Sequence, residues 1–176
     1  MPSMKILLIA GGWSSEREVS LTGARGMQEA LLKRGHAVTF FDLLENFDEL
    51  LETARQHDFA LINLHGSPGE DGLVQAMLEK AGCPYQGSGP SGSFLALNKA
   101  AAKQIFRMAG LPTADWEFLP VRPAEGWEPR LPWPLFVKTT TGGSSLRLGR
   151  ATNRQELDAL MDEIFAAGEG VLIEPQ

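Results

Sequence analysis

The stretch that decides the fold is glycine-rich and lies in the first half of the chain: His65-Gly66-Ser67-Pro68-Gly69-Glu70-Asp71-Gly72. It follows the apolar run 59–64 and precedes the amphipathic run 73–78. This order predicts a buried strand, a polar turn and a helix. In open α/β sheets ligands bind at the carboxyl ends of the strands. His65 follows such an end, so we expect the turn to border a binding site.

Two more apolar runs, 5–10 and 37–41, precede residue 59 and are also separated by helical patterns. None alternates strictly, which is typical of strands covered on both faces. Ser15 and Glu18 form the pattern of a capping box that opens the first helix. Further helices are predicted at 47–54 and 73–81 and a short strand at 84–87. The βαβαβα order predicts an α/β fold with a doubly wound parallel sheet.

The pattern changes after residue 92, which places a domain boundary near 92–96 and predicts domains at 1–95 and 96–176. A helix is predicted at 93–109, strands at 135–138, 146–148 and 171–173, and a helix starting after Asn153. Five of the eleven prolines lie in 120–134, which we expect to be a surface connection. These elements predict a small α+β lobe.

Composition excludes several classes of protein. Apolar residues make up 43% and charged residues 22%, as in ordinary globular proteins. The net charge of -6 argues against nucleic-acid binding, which needs a basic surface. No apolar run is long enough to span a membrane, and none has the form of a signal peptide. Cys83 is the single cysteine, so no internal disulfide can form. We expect a cytoplasmic protein.

Two polar residues follow predicted strands of the first domain. Glu16 begins a helix, where it either caps the helix or holds the ammonium group of an amino-acid substrate. His65 either bonds to backbone or donates a hydrogen bond to a substrate carboxylate. Glu70 and Asp71 are explained by capping and loop closure. The local sequence leaves both alternatives open for Glu16 and His65.

Lys138 ends a predicted strand, and the small residues of 139–145 follow it. Consecutive backbone amides in such a loop can surround phosphate oxygens, and the lysine adds a point charge. The lysine precedes the glycines, so this is not a P-loop. The alternative is a flexible hairpin tip. Lys99, in the middle of the predicted helix, and Glu174, after the last strand, have no distinctive local pattern.

Five segments taken together resemble the D-alanine:D-alanine ligases of the ATP-grasp superfamily: 11–21, 65–89, 98–103, 135–145 and 171–174. The resemblance implies a Rossmann-like pre-ATP-grasp domain that binds substrate, followed by the central ATP-grasp lobe. It also implies that the C-terminal ATP-grasp lobe is absent and that the central lobe is truncated at the adenine hinge. We therefore expect the 176-residue chain alone to be inactive.

The resemblance assigns roles to residues of the first domain and of the glycine loop. It implies that Glu16 binds the ammonium group of the first D-alanine, that Val19 lies in the same subsite, and that His65 lies beside the substrate carboxylate. Ser144 would form a hydrogen bond toward Glu16 and help to close the loop. Glu16 and Ser144 are thus the implied catalytic residues.

The resemblance also implies an ATP site in the second domain. Lys99 and Lys138 would contact the phosphates, and the adenine hinge would follow the last strand. The implied ATP-binding residues are Lys99, Lys138, Gly143, Ser144, Ser145, Glu174, Pro175 and Gln176. Magnesium is expected with ATP, but its ligands would lie in the C-terminal lobe, so no metal ligand is expected in this chain.

The implied reaction serves peptidoglycan precursor synthesis. ATP phosphorylates the carboxylate of one D-alanine, and the amine of a second D-alanine then attacks the acyl phosphate. The expected partners are these small molecules, without nucleic acid or membrane, and a homodimer is left open. Two positions depart from the family pattern, Thr139 in place of proline and Arg147 in place of glycine. Two alternatives stay open: a non-catalytic short paralogue that binds nucleotide or amino acid weakly, and another ATP-grasp amino-acid ligase.

Overall fold

The structure is a computed structural model that describes residues 2–143 and 147–176. The chain forms two compact units, and the division falls between Phe94 and Leu95. In these described ranges, no helix is both long and apolar enough to cross a membrane.

Unit 1 is built on a three-stranded parallel sheet in the order β2-β1-β3. Its elements are β1 (Lys5–Ala10), α1 (Arg17–Lys33), β2 (Ala37–Asp42), α2 (Leu43–Asn46), a 3-10 turn (Phe47–Glu49), α3 (Leu50–Ala54), β3 (Phe59–Ile62) and α4 (Leu73–Ala81). The next helix, α5 (Pro90–Leu97), contains the division between the two units. The predicted α/β class with a parallel sheet is confirmed. The predicted strand at 84–87 is only a single bridge, between Ala60 and Tyr85.

The core of unit 1 lies on both faces of β1. Leu7 and Ile9 pack in one hydrophobic cluster, while Leu8 and Ala10 pack in another. All four side chains are fully buried. The lack of alternation in the sequence of β1 thus reflects a strand covered on both sides, which leaves the strand ends as the accessible part of the sheet.

Unit 2 is built on an antiparallel sheet in the order β4-β7-β5-β6. Its elements are α6 (Lys99–Met108), β4 (Glu117–Leu119), β5 (Leu135–Thr139), β6 (Leu148–Ala151), α7 (Arg154–Ala166) and β7 (Val171–Pro175). α7 begins at the predicted cap, since the Asn153 side chain accepts a hydrogen bond from the backbone N of Glu156 at 3.0 Å. Its apolar face buries Val137 and Ile173 of the sheet.

Several element boundaries differ from the sequence prediction. The single helix expected at 93–109 is two helices, α5 and α6, because Asn98 interrupts them and caps α6 by accepting from Ala101 N at 3.0 Å. Lys99 is therefore the first residue of a helix, not a mid-helix residue. The strand expected at 146–148 is β6, which begins at Leu148.

Candidate functional site

The turn from β1 to α1 is tied to the end of β3. Gly11 has φ of 77°, and its backbone N donates to Ser20 Oγ at 2.8 Å. The same hydroxyl donates to the carbonyl of Asn63, whose side-chain Nδ2 donates to the Ser20 carbonyl at 2.7 Å. Because β1 and β3 are adjacent and parallel, these bonds fix two carboxyl ends at one sheet edge.

Glu16 is held by its backbone at this edge. It is the N-cap residue of α1: its carbonyl accepts from Ser20 N at 3.1 Å, and its own N donates to Ser14 Oγ at 3.2 Å. The expected capping box is wrong, because the helix begins one residue later than predicted and no side chain caps it. A Cβ added at Gly66 would lie 3.9 Å from Glu16 Oε2. The carboxylate therefore lies beside the glycine that follows His65.

The residue after Glu16 is anchored to the next strand. Arg17 Nη1 and Nη2 donate to the two carboxylate oxygens of Asp42 at 2.7 and 2.6 Å, and Nη1 also reaches the Gly12 carbonyl at 3.2 Å. The hydrogen bond from Arg17 holds the pKa of Asp42 below its ordinary value. A Cβ on Gly11 would come within 2.4 Å of the guanidinium. This bidentate pair closes over Gly11 and fixes the start of α1.

The loop that contains His65 is closed by its own acidic residues, as predicted. Gly66 N donates to Glu70 Oε2 at 2.9 Å, and Leu73 N donates to Asp71 Oδ1 at 2.9 Å. Gln75 supports the loop from α4, since its Nε2 donates to the Gly69 carbonyl at 2.6 Å. His65 is half-buried. His65 directly precedes Gly66, the glycine that lies beside Glu16.

Val19 lies on the exposed side of the first turn of α1, with 62% of its surface accessible. It lines a shallow depression together with Glu18, Thr22 and Gly23. The structure therefore leaves its expected place in a D-alanine subsite as a prediction.

In unit 2, the sheet face opposite α7 carries charge. Lys138 and Glu174 lie on neighbouring antiparallel strands as a diagonal pair, with Phe136 opposite Glu174. Long side chains bridge such a diagonal, and Lys138 Nζ forms an ion pair with Glu174 Oε2. The sequence analysis predicted separate roles for these two residues and did not anticipate this ion pair.

The other carboxylate oxygen of Glu174 is bound by Lys103, a residue that sequence reasoning missed. Lys103 Nζ lies 2.5 Å from Glu174 Oε1 and donates to Thr113 Oγ1 at 2.8 Å. Burial works to raise the pKa of Glu174, but hydrogen bonds and charge from Lys103 and Lys138 outweigh it and hold the pKa below its ordinary value. A signal was present in the sequence, because the spacing of four from Lys99 places Lys103 on the same helix face.

Lys99 joins α6 to the loop after β5. Its backbone N donates to the Thr140 carbonyl at 3.0 Å, and its Nζ donates to the Gly142 carbonyl. Burial lowers the pKa of Lys99, and the positive charge of Lys138 lowers it further. Lys99 and Lys138 thus both bring positive charge to this part of unit 2. Such a concentration of positive charge suits a polyanion.

The described part of the glycine loop is held to the sheet instead of forming a free hairpin tip. Thr140 N and Oγ1 both donate to the Gly170 carbonyl at 2.9 Å. Gly142 N donates to Thr139 Oγ1 at 3.0 Å, a bond that proline at position 139 could not accept. Gly143 is the last described residue before the gap. Ser144 and Ser145, expected to bind ATP, lie outside the described residues.

The residues after Glu174 continue alongside β5. Pro175 pairs with Leu135 in register. Gln176 N donates to the Pro134 carbonyl at 3.0 Å, and its Oε1 accepts from Arg150 Nε at 2.6 Å. Pro175 and Gln176 thus extend the rim of the sheet that carries Lys138 and Glu174.

No metal site is evident in residues 2–143 and 147–176, where no three His, Cys, Asp or Glu side chains form a group that could hold an ion. The expected magnesium ligands in a C-terminal lobe stay a prediction.

Comparison with known proteins gives one consistent family. A family model described as "D-ala D-ala ligase C-terminus" matches residues 104–176. A D-alanine--D-alanine ligase from Desulfovibrio desulfuricans is 76% identical over 172 residues, covering 98% of this chain and 56% of the relative. The relative of that name from Nitratidesulfovibrio vulgaris (strain Hildenborough) is 63% identical, with 57% of it covered. The chain thus spans little more than half the length of these relatives.

Solved structures agree with the sequence relatives. The crystal structure of D-alanine--D-alanine ligase from Bacillus anthracis matches with a TM-score of 0.87 and 36% identity, over 99% of this chain and 58% of that one. A structure of the same ligase complexed with ATP matches with a TM-score of 0.84 and 33% identity, over 99% of this chain and 59% of that one.

Proposed function

We propose that the complete gene product joins two D-alanines in an ATP-dependent reaction, because this chain is similar to D-alanine--D-alanine ligases along nearly its whole length. The observation that carries this proposal is the charged face of unit 2. Lys138 and Lys99 supply positive charge beside a glycine loop, and Glu174 supplies an acceptor on the neighbouring strand. Such a face suits a nucleotide with anionic phosphates and an amino-bearing base.

In the proposed ATP complex, Lys99 and Lys138 bind phosphate oxygens. The backbone amides of Gly143, Ser144 and Ser145 add hydrogen-bond donors. Glu174 accepts from the adenine amino group, and the backbone of Pro175 and Gln176 follows the base. The relative that was solved with ATP supports the choice of nucleotide. Magnesium is proposed to bind together with ATP, as the magnesium complex of the nucleotide.

Unit 1 is proposed to bind the first D-alanine. The Glu16 carboxylate attracts the substrate ammonium, since a fixed negative charge at a sheet edge is matched by a primary amine. His65, on the adjacent loop, donates to the substrate carboxylate, and Val19 contributes an apolar contact. Ser144 keeps, as a proposal, the catalytic role that the resemblance implies. The closeness of Gly66 to Glu16 Oε2 supports a single subsite formed by both loops.

The proposed reaction has two balanced steps. A carboxylate oxygen of the first D-alanine takes the γ-phosphoryl group of ATP, and ADP leaves. The amine of the second D-alanine then attacks the acyl carbon, loses a proton, and inorganic phosphate leaves. The lysines offset charge on the transferred group, which is the main requirement of phosphoryl transfer. The product fits cytoplasmic synthesis of a peptidoglycan precursor.

The proposal is tested with the complete gene product that contains residues 1–176. Purified protein is incubated with ATP, magnesium and D-alanine, and phosphate release and D-alanyl-D-alanine are measured by a coupled assay and mass spectrometry. We expect one phosphate per dipeptide and no dipeptide from L-alanine. Phosphate release with a different amino acid but not with D-alanine would instead support another amino-acid ligase.

A further inference from the structure

Lys103 carries a charge in the interior of unit 2. Among the described residues 2–143 and 147–176 it is the one charged residue that is buried, with 8% of its surface exposed. A buried ammonium is costly unless its donors are satisfied. Its Nζ meets Glu174 Oε1 and Thr113 Oγ1, and it lies 5.3 Å from the centre of the Trp116 ring. These contacts hold the ammonium group in one place.

Glu174 has two unequal partners. Its side chain is 13% exposed, and Lys103 and Lys138 each bind one of its oxygens. The Lys103 side chain is 10% exposed and has further contacts with Thr113 and Trp116. The Lys138 side chain is 27% exposed. Lys103 is therefore the internal partner, and Lys138 is the one that an arriving ligand can reach.

We propose that Lys103 is a positioning residue for ATP: it fixes and neutralises Glu174, so that Lys138 can leave this carboxylate for a nucleotide phosphate. The inference rests on the proposed function. It assigns a role to a residue that does not itself touch the nucleotide.

The physical reason is the cost of an unpaired buried charge. If Lys138 were the sole partner of Glu174, its move to a phosphate would leave a half-buried carboxylate without a cation, which is strongly unfavourable. Lys103 removes that cost because it stays bound to the other oxygen. It also keeps the carboxylate ionised and oriented, as an acceptor for an amino group must be.

The test compares Lys103→Met with wild type in the complete gene product. We expect the KM for ATP to rise at least tenfold while the KM for D-alanine stays within twofold. Without Lys103 the pKa of Glu174 rises, so the acidic limb of the pH profile of kcat/KM for ATP should move to higher pH. Lys80→Met, an exposed lysine on α4, is the matched control and should leave all these values unchanged.

A double-mutant cycle with Glu174→Gln separates positioning from general destabilisation. If Lys103 acts through Glu174, the double variant should be no worse than Glu174→Gln alone, because neutral Gln needs no counter-ion. Fully additive losses would overturn the proposal, as would an equal rise in both KM values.

Thr113→Val keeps the proposal testable if Lys103→Met does not fold. It removes one tether of Lys103, and we expect the KM for ATP to rise about threefold; an unchanged KM would then overturn the inference. If wild type binds no ATP in isothermal titration, the proposed function has failed. If wild type binds ATP and Lys103→Met binds it equally tightly, only the role of Lys103 has failed.

Discussion

Glu16 occupies the position just before α1, where its carbonyl is already part of the helix and its carboxylate lies beside Gly66. Its backbone forms hydrogen bonds with Ser20 and Ser14. These two bonds do not depend on the charge of the side chain, so replacing the carboxylate with an amide leaves them in place.

We expect Glu16→Gln to weaken use of the first D-alanine with little effect on folding. Loss of a charged partner in a closed site costs on the order of 2 to 4 kcal/mol, so kcat/KM for D-alanine should fall roughly 30- to 1,000-fold. Steady-state kinetics and thermal unfolding of the complete gene product measure both effects. Glu29→Gln, an exposed change elsewhere on α1, is the control. Wild-type kinetics in Glu16→Gln would show that the charge of this residue has no role in the use of D-alanine.

Arg147 has a left-handed backbone conformation, which glycine adopts more easily than arginine. Its φ is 51°, in the left-handed region, where a side chain costs about 1 to 2 kcal/mol and glycine costs nothing. Its ion pair with Glu163 is exposed and long, at 3.9 Å, so it offsets little of that strain. The departure from glycine noted in the sequence therefore has a structural cost.

Arg147→Gly should raise the free energy of unfolding by about 1 kcal/mol, because it relieves this strain. Urea unfolding followed by circular dichroism measures the change. Arg147→Ala removes the ion pair but keeps the Cβ, so it should bring no gain. Equal stabilities of the glycine and alanine variants would show that the backbone at position 147 is not strained.

At the scale of elements, the start of α1 depends on a bond to β2. Arg17 carries the connection, and Asp42 at the end of β2 receives it with both oxygens. Asp42 also caps α2 by accepting from Leu44 N at 3.2 Å. One carboxylate thus fixes two helix starts, and its loss should affect the β1–α1 turn that holds Glu16.

Asp42→Asn should destabilise unit 1 by about 1 to 3 kcal/mol at neutral pH. Because folding lowers the pKa of Asp42, its contribution is present above the ordinary value of 3.8 and is lost as the pH falls through the lower folded value. The difference between wild type and Asp42→Asn should therefore shrink toward low pH in urea titrations. Asp115→Asn breaks an exposed pair and should cost under about 1 kcal/mol at any pH. A pH-independent difference for Asp42→Asn would contradict the ion pair.

At the scale of the whole molecule, the question is what residues 1–176 can do as an isolated polypeptide. They span 56% of a relative that is 76% identical. In the part of the chain that the structure describes, the proposed ATP site consists of the charged sheet face of unit 2. Lysines on a solvated face act in a high dielectric, where each ion pair contributes about 0 to 1 kcal/mol.

We expect the 176-residue polypeptide to bind ATP no more tightly than roughly millimolar and to release no phosphate above background. Isothermal titration and a phosphate assay measure these two properties. The full-length relative from Desulfovibrio desulfuricans, assayed in parallel, is the positive control. A micromolar dissociation constant for the polypeptide would show that a complete nucleotide site forms by another route, such as dimerisation, and would favour the non-catalytic short paralogue.

Elements that depend on near neighbours in the chain, such as buried strands and helix starts, could be predicted from the sequence alone. The apolar runs 5–10 and 59–64 predicted buried parallel strands, and Asn153 predicted the start of α7, because burial pattern and capping depend on near neighbours. The two glycines of α1 differ in a way that the sequence does not show. A Cβ at Gly23 would lie 3.1 Å from Asn63 Nδ2, whereas a Cβ at Gly26 would meet nothing within 4 Å.

The partners of the charged side chains could not be predicted from the sequence and are seen only in the folded chain. Lys103 and Glu174 are 71 positions apart in sequence, and their contact depends on how α6 lies against β7. The pairing of Arg17 with Asp42 likewise depends on the parallel register of β1 and β2. Charged side chains carry no periodic signal that names a distant partner, because the free energy of an ion pair is set by distance and burial. Both are properties of the folded chain.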